Sequence, residues 1–204
     1  MEELQLSAIN YVEQRALFNN VPSTYSILKR LFDIAASLIA IVVLIPVFLI
    51  TALLIKIDSK GPVLFCQKRL GLKGKVFTLY KFRSMVYNAE ELLKDIEKKN
   101  EVSGHMFKMK KDPRVTRIGR FIRKTSIDEL PQFINVLKGN MSIVGPRPPI
   151  KREVVQYDAW HNLRLSVKPG LTGLWQVSGR NKLGFDEMVR LDLKYIRERN
   201  FLCD

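Results

Sequence analysis

Two short stretches combine residue types suited to phosphate chemistry. Asp128 and Glu129 form an adjacent acidic pair directly behind the cationic segment 108–124. They stand at an expected helix start, where unpaired backbone N–H groups attract anions. A carboxylate in that setting can attack phosphorus, provided cations neutralise the phosphate oxygens it must approach. Arg123, one turn upstream, Arg147 and a divalent cation are candidates for that work. Arg147 lies in Gly145-Pro146-Arg147-Pro148, where two rigid neighbours leave the guanidinium little entropy to lose on bidentate capture of phosphate.

Both stretches also have a purely structural reading. Ser126-Ile127-Asp128-Glu129 fits a capping box in which Glu129 bonds back to Ser126, and Arg147 fits an incidental residue of a proline-rich surface loop. Pro131 weighs against Ser126 as the cap, because it would then sit beyond the first turn and remove a needed hydrogen bond. Starting the helix at Asp128, to run towards Leu137, makes Pro131 harmless.

The elements that must position these residues follow from patterning. Ile34 to Ile55 is uncharged and would reach roughly 33 Å as a straight helix, the thickness of a bilayer core. Pro46 interrupts it, and basic residues flank both ends: Lys29 and Arg30 before, Lys56, Lys60, Lys68 and Arg69 after. Spanning and re-entrant courses both fit the pattern; a bent helix that enters and leaves by one leaflet keeps both flanks on the same side. A buried core helix fits less well, since such helices seldom run this long without a polar face. Val63–Phe65 and Val76–Tyr80 around Gly71-Leu72-Lys73-Gly74 predict a β-hairpin. Residues 89–99 predict an exposed amphipathic helix. Arg114, Arg117, Arg120 and Arg123 predict an Arg ridge on a helix within 108–124, suited equally to phosphate or to lipid headgroups. Val144–Pro149 predicts a rigid loop, Lys168-Pro169-Gly170 a turn, and Phe185–Arg199 a last helix with acids early and arginines late.

Composition narrows the partners. Lys and Arg number 34 against 20 Asp and Glu, a net charge of +14, which favours nucleic acid, phosphorylated ligands or an anionic lipid surface. Cys66 and Cys203 lack metal-ligand spacing and His105 and His161 stand apart, so neither a disulfide framework nor a zinc site is expected. The first 26 residues read as a leader without the features of a signal peptide.

Three segments taken together are more specific: Gln67 to Met85, Lys111 to Pro148 and Pro169 to Asn181. In this order they resemble the catalytic domain of the bacterial sugar transferases, the monotopic polyprenyl-phosphate phosphoglycosyl transferases, over about Ile27 to Phe201. The resemblance implies an α+β, mostly helical, membrane-associated domain with a small β-hairpin and a re-entrant helix broken at Pro46. It divides the chain into a leader (1–26), the re-entrant helix (27–58) and a cytoplasmic catalytic domain (59–204). It places the protein at the bacterial inner membrane with its site on the cytoplasmic face.

The implied activity moves a hexose-1-phosphate from a UDP-sugar to undecaprenyl phosphate and releases UMP, at the first membrane step of exopolysaccharide, capsule or O-antigen synthesis. Asp128 would be the nucleophile, forming an aspartyl-phosphosugar, with Glu129 its dyad partner. The dyad would hold Mg2+. Arg123, Arg147, Lys81, Arg83 and Lys168 would bind phosphate or substrate. Lys168 stands where the family often has Arg, and Ile45 where many small members have Ser. Members continue past Phe201 with an amphipathic segment, so a chain ending at Asp204 is expected to be shortened or less firmly attached. Anionic lipids are expected partners and nucleic acid is not. A membrane-tethered nucleic-acid binder and a non-enzymatic scaffold are the competing readings; neither an aromatic platform nor a groove-reading motif accompanies the basic segment.

Overall fold

The computed structural model describes residues 22–89, 91–92, 109, 112–179 and 183–204. The first 21 residues and nearly all of the helix expected over 89–99 therefore lie outside the described residues.

The apolar segment forms two helices, α1 (Ser23–Val43) and α2 (Ile45–Asp58), bent by 60°. The break falls at Leu44 rather than at Pro46 itself. Proline at the second position of α2 has no N–H for the carbonyl four residues back and crowds it, so the α1 ladder ends with Leu44 N–H on Ala40 O. Among the described residues no single helix is long and apolar enough to cross a membrane. Leu38, Ile39, Val42, Val43, Ile45, Leu49, Ile50 and Leu53 are all exposed around the bend.

Both ends of this bent pair are fixed to the same globular domain. At the α1 end, Arg30 donates to Val136 O at 2.6 Å and Leu137 O at 2.9 Å, and Asp33 accepts from Ile143 N at 3.0 Å. Lys29 pairs with Asp204 at 2.6 Å. At the α2 end, Ile55 is buried with Phe82 and Ile122, and Asp58 accepts from Ile118 N at 3.0 Å.

The predicted hairpin is present and longer than expected: β1 (Leu64–Leu70) and β2 (Val76–Phe82) pair antiparallel, Leu64 opposite Phe82 and Leu70 opposite Val76. Lys73, at φ 55, and Gly74, at φ 73, close the turn. Phe77 and Leu79 point from β2 into a core with Val136 and Met141.

Helix α3 (Arg117–Lys124) is shorter than the basic ridge suggested. Thr116 Oγ1 caps it through Gly119 N at 2.9 Å, while Asp58 takes Ile118 N. Arg114 is therefore outside the helix; it is buried, with its guanidinium on Asp112 at 2.6 Å. A side chain at Gly119 would overlap the carbonyl of Ser84, so only glycine lets α3 lie this close to the strand exit.

The helix expected from Asp128 is instead a 3-10 turn (Ile127–Glu129) followed by α4 (Gln132–Leu137), with Pro131 as the α4 N-cap. Ser126 lies in the left-handed region at φ 59 and makes no side-chain cap, which removes the capping-box reading. Asn135, fully buried in α4, donates to Thr78 O at 2.7 Å and accepts from Tyr80 N at 3.0 Å. Its amide thus replaces a third strand at the free edge of β2.

A second sheet, not anticipated, pairs β3 (Ser142–Val144) parallel with β4 (Gly170–Thr172). The turn expected at 168–170 is the entry to β4. Short helices α5 (Lys151–Val154) and α6 (Leu174–Ser178) and a 3-10 segment (His161–Ser166) lead to α7 (Phe185–Glu198). There Arg164 and Asp192 form a buried ion pair.

Replacing Asn135 with Ala leaves a main-chain donor and acceptor unpaired, at about 1–3 kcal/mol each when buried. The expected loss of folding stability is about 3 kcal/mol, read as a lower thermal midpoint, with Asn135→Asp intermediate because one acceptor survives.

Candidate functional site

The Asp128-Glu129 pair sits on one tight turn held from three sides. Ile127 packs into the core formed by Ile55, Phe82 and Ile122, so α2, the hairpin and α3 all fix its position. Backbone bonds from Glu129 N to Ser126 O, 3.1 Å, and Leu130 N to Ile127 O, 3.2 Å, close the turn. Asp128 is buried and Glu129 partly exposed, with its Oε1 on Lys81 Nζ at 2.8 Å.

Burial raises the Asp128 carboxyl above the ordinary aspartate range. The Lys81 charge opposes that rise, the Glu129 charge adds to it, and Arg123 opposes it. The carboxyl is thus close to a second negative charge and to two positive ones. Burial prevails, and the two cations reduce the rise without cancelling it.

Arg147 occupies a loop clamped on both sides. Gly145 N donates to Thr172 O at 2.9 Å and Gly170 N to Pro146 O at 2.8 Å. On the other side Leu70 N donates to Pro149 O at 2.9 Å, and Arg69 Nη1 to Pro148 O at 2.9 Å. The guanidinium makes a two-pronged contact with Glu153, at 3.1 and 3.3 Å. Burial would raise the Glu153 carboxyl, but Arg147, the Ile150 N–H and Arg69 outweigh it and hold the group low.

The other expected residues are placed differently. Arg83 is buried and donates to the carbonyls of Ser59 and Lys60, bracing the end of α2. Lys168 lies beside Arg30 near Gly139; burial, then Arg30, lowers its pKa while Asp33 opposes. Arg123 is exposed on α3, near enough to act on the Asp128 carboxyl. Lys81, Arg123, Asp128 and Glu129 therefore gather in one place, whereas Arg83 and Lys168 make contacts of their own.

Two residues escaped the sequence reading. Along the chain Arg69 reads only as a basic flank, although the register puts it on the same hairpin face as Lys81: Arg69 stands opposite Phe77, two pairs from Leu79 and four from Lys81. Glu153 gave no signal, because its pairing with Arg147 depends on a loop that returns across six positions.

Among the described residues no three His, Cys, Asp or Glu side chains gather as a metal cluster. Asp128 and Glu129 nevertheless match the donor set Mg2+ accepts from proteins, one or two carboxylates with water and substrate phosphate completing the shell.

Residues 24–204 match the family model described as bacterial sugar transferase. The chain belongs to the bacterial sugar transferase family. It is 50% identical over 184 residues to the galactosyl transferase CpsE of Streptococcus agalactiae serotype III, covering 89% of this chain and 40% of that protein. It is 45% identical over 174 residues to the undecaprenyl-phosphate galactose phosphotransferase of Salmonella typhimurium, covering 83% and 36%. The exopolysaccharide production protein ExoY of Sinorhizobium fredii is 39% identical over 180 residues, covering 86% of this chain and 80% of that one. This bacterial sugar transferase chain thus spans about two fifths of the length of the first two relatives.

Because the Lys81 charge holds the Asp128 pKa down, Lys81→Met is expected to raise it further. Carboxyl infrared titration with labelled aspartate should then show Asp128 protonating at higher pH than in the unchanged protein; an unmoved midpoint would contradict the placement of Lys81.

Proposed function

We propose that this chain carries the catalytic unit of a polyprenyl-phosphate hexose-1-phosphate transferase, using a UDP-sugar as donor and undecaprenyl phosphate as acceptor. The observation that supports it most is Asp128: a buried carboxylate on a turn, with Lys81 and Arg123 opposing the rise that burial gives its pKa and a second acid beside it. Relatives named for undecaprenyl-phosphate galactose, glucose and N-acetylgalactosamine transfer point the same way.

In the proposed reaction an Asp128 oxygen bonds to the sugar-bearing phosphorus as the bond to the bridging oxygen breaks. UMP leaves with that oxygen. An oxygen of the lipid phosphate then attacks the same phosphorus, the aspartyl bond breaks, and Asp128 is ionised again. Both transfers pass through crowded negative charge, which Lys81, Arg123 and Arg147 are placed to offset. Asp128 and Glu129 would hold Mg2+, which when bound would neutralise phosphate oxygens. Arg83 acts in this scheme by bracing the end of α2. Lys168 acts in this scheme only through its place beside Arg30 at the α4 exit.

The bent pair α1–α2 suits a re-entrant anchor. Arg30 and Asp33 at one end, and Ile55 and Asp58 at the other, are bound to one domain, so the two ends share a side of any membrane that the bend enters. Each exposed Leu, Ile or Val around Leu44 gains about 1.5–3 kcal/mol on leaving water, which supports insertion of the bend. A cytoplasmic site at the inner membrane follows from the donor, a UDP-sugar, and from the anionic leaflet that suits exposed Arg117, Arg120, Arg123 and Lys124.

Asp128→Asn is expected to lower UMP release by at least about 10⁴-fold, the scale on which loss of a covalent nucleophile acts. Intact mass spectrometry of the unchanged protein, given donor without lipid acceptor, should show added phosphosugar that the variant lacks. Turnover by the variant at the original rate would remove Asp128 as nucleophile.

In a background with Cys66 and Cys203 replaced by Ser, single cysteines at Ser26 and Lys60 are expected to react with an impermeant maleimide from the same face of inverted vesicles. Labelling from opposite faces would overturn the re-entrant course.

A further inference from the structure

Arg69 is the least explained cation of the site. It lies on β1 and shares a hairpin face with Lys81, about 13 Å away along the strands. Its Nη1 bonds to the carbonyl of Pro148, next to Arg147, while its Nε is buried without a partner among the described residues. Two guanidiniums are thus brought to one loop, and the carboxylate bound there, Glu153, is already engaged by both prongs of Arg147 and by Ile150 N at 3.0 Å. Two positive charges thus lie beside one carboxylate at this loop.

We propose that Arg69 and Arg147 together form the seat for the donor diphosphate, with Arg69 contacting the phosphate on the nucleotide side, opposite the end that Asp128 attacks. The inference rests on the transferase reading above and assigns a residue that reading does not use. Burial, followed by the charge of Arg147, holds the Arg69 pKa down to about 10, while Glu153 and then Glu129 oppose the shift. Arg69 therefore senses both Glu153, beside the Pro-Arg-Pro loop, and Glu129, on the nucleophile's turn. It is thus a cation linked electrostatically to both halves of the site. A bound diphosphate brings the negative charge that the pair lacks, and a guanidinium presents parallel donors to phosphate oxygens. As UMP departs, its phosphate gains charge at this same place.

The test uses the full chain in lipid nanodiscs, with UDP and uridine as probes. Arg69→Gln is expected to weaken UDP binding at least tenfold while leaving uridine binding within twofold, and to raise the donor KM with the aspartyl adduct still trappable. Removing one of two like charges should leave the thermal midpoint of the unliganded protein unchanged or higher, and should shrink the stabilisation by UDP. Arg69→Lys, which keeps a charge but not the paired donors, should fall between; it carries the test if the Gln variant does not fold. Equal losses for UDP and uridine would mean that Arg69 only braces the Pro148 loop, and unchanged UDP affinity would mean that it takes no part; either result overturns the proposal. If the unchanged protein forms no adduct at all, it is the transferase reading that fails.

Discussion

A carboxylate taken out of water must be compensated by positive charge or give up its own, and the arrangement around Asp128 is organised by that constraint. Lys81 comes from a strand, Arg123 from a helix and Glu129 from the same turn. Each of these charges acts on the Asp128 pKa. Buried contacts elsewhere in the fold hold this small set together. The Asn135 amide keeps β2 in register with α4. The capped start of α3 fixes the direction of Arg123. The buried cluster of Ile55, Phe82 and Ile122 sits directly beneath Ile127.

The same cluster joins the site to the apolar helices. Ile55 belongs to α2, and Asp58, three residues on, caps α3. The helix pair is thus a structural part of the domain that carries Asp128 and not a detachable tether. Polar anchors at Arg30 and Asp33 repeat the arrangement at the other end. Held at both ends, the bend at Leu44 sets how far the apolar surface projects from the domain, and so the height of Asp128 above any surface that the bend enters.

The basic balance of the chain divides into two populations. Arg30, Arg83, Arg114 and Arg164 are directed inward, onto carbonyls or buried carboxylates. Arg117, Arg120, Arg123 and Lys124 stay exposed on α3 around the exposed Phe121. Net charge alone therefore overstates the surface available to a polyanion, and an exposed basic group is concentrated on α3.

The sequence by itself determined the features set by local chemistry. The proline break, the glycine-closed hairpin, the rigid Pro-Arg-Pro loop, the last helix and the acidic pair with Arg123 nearby could all be read, because each follows from periodicity, a restricted backbone or near neighbours in the chain. Only the tertiary structure decided the rest. It turned the expected Asp128 helix into a 3-10 turn, took Arg114 out of the ridge and built a parallel pair from segments 28 positions apart at Ser142 and Gly170. It also set Arg83 and Lys168 on contacts away from Asp128, and brought Arg69 to Arg147. These outcomes depend on which distant carbonyl or charge a long side chain reaches once the core has formed, and spacing along the chain carries no record of that distance.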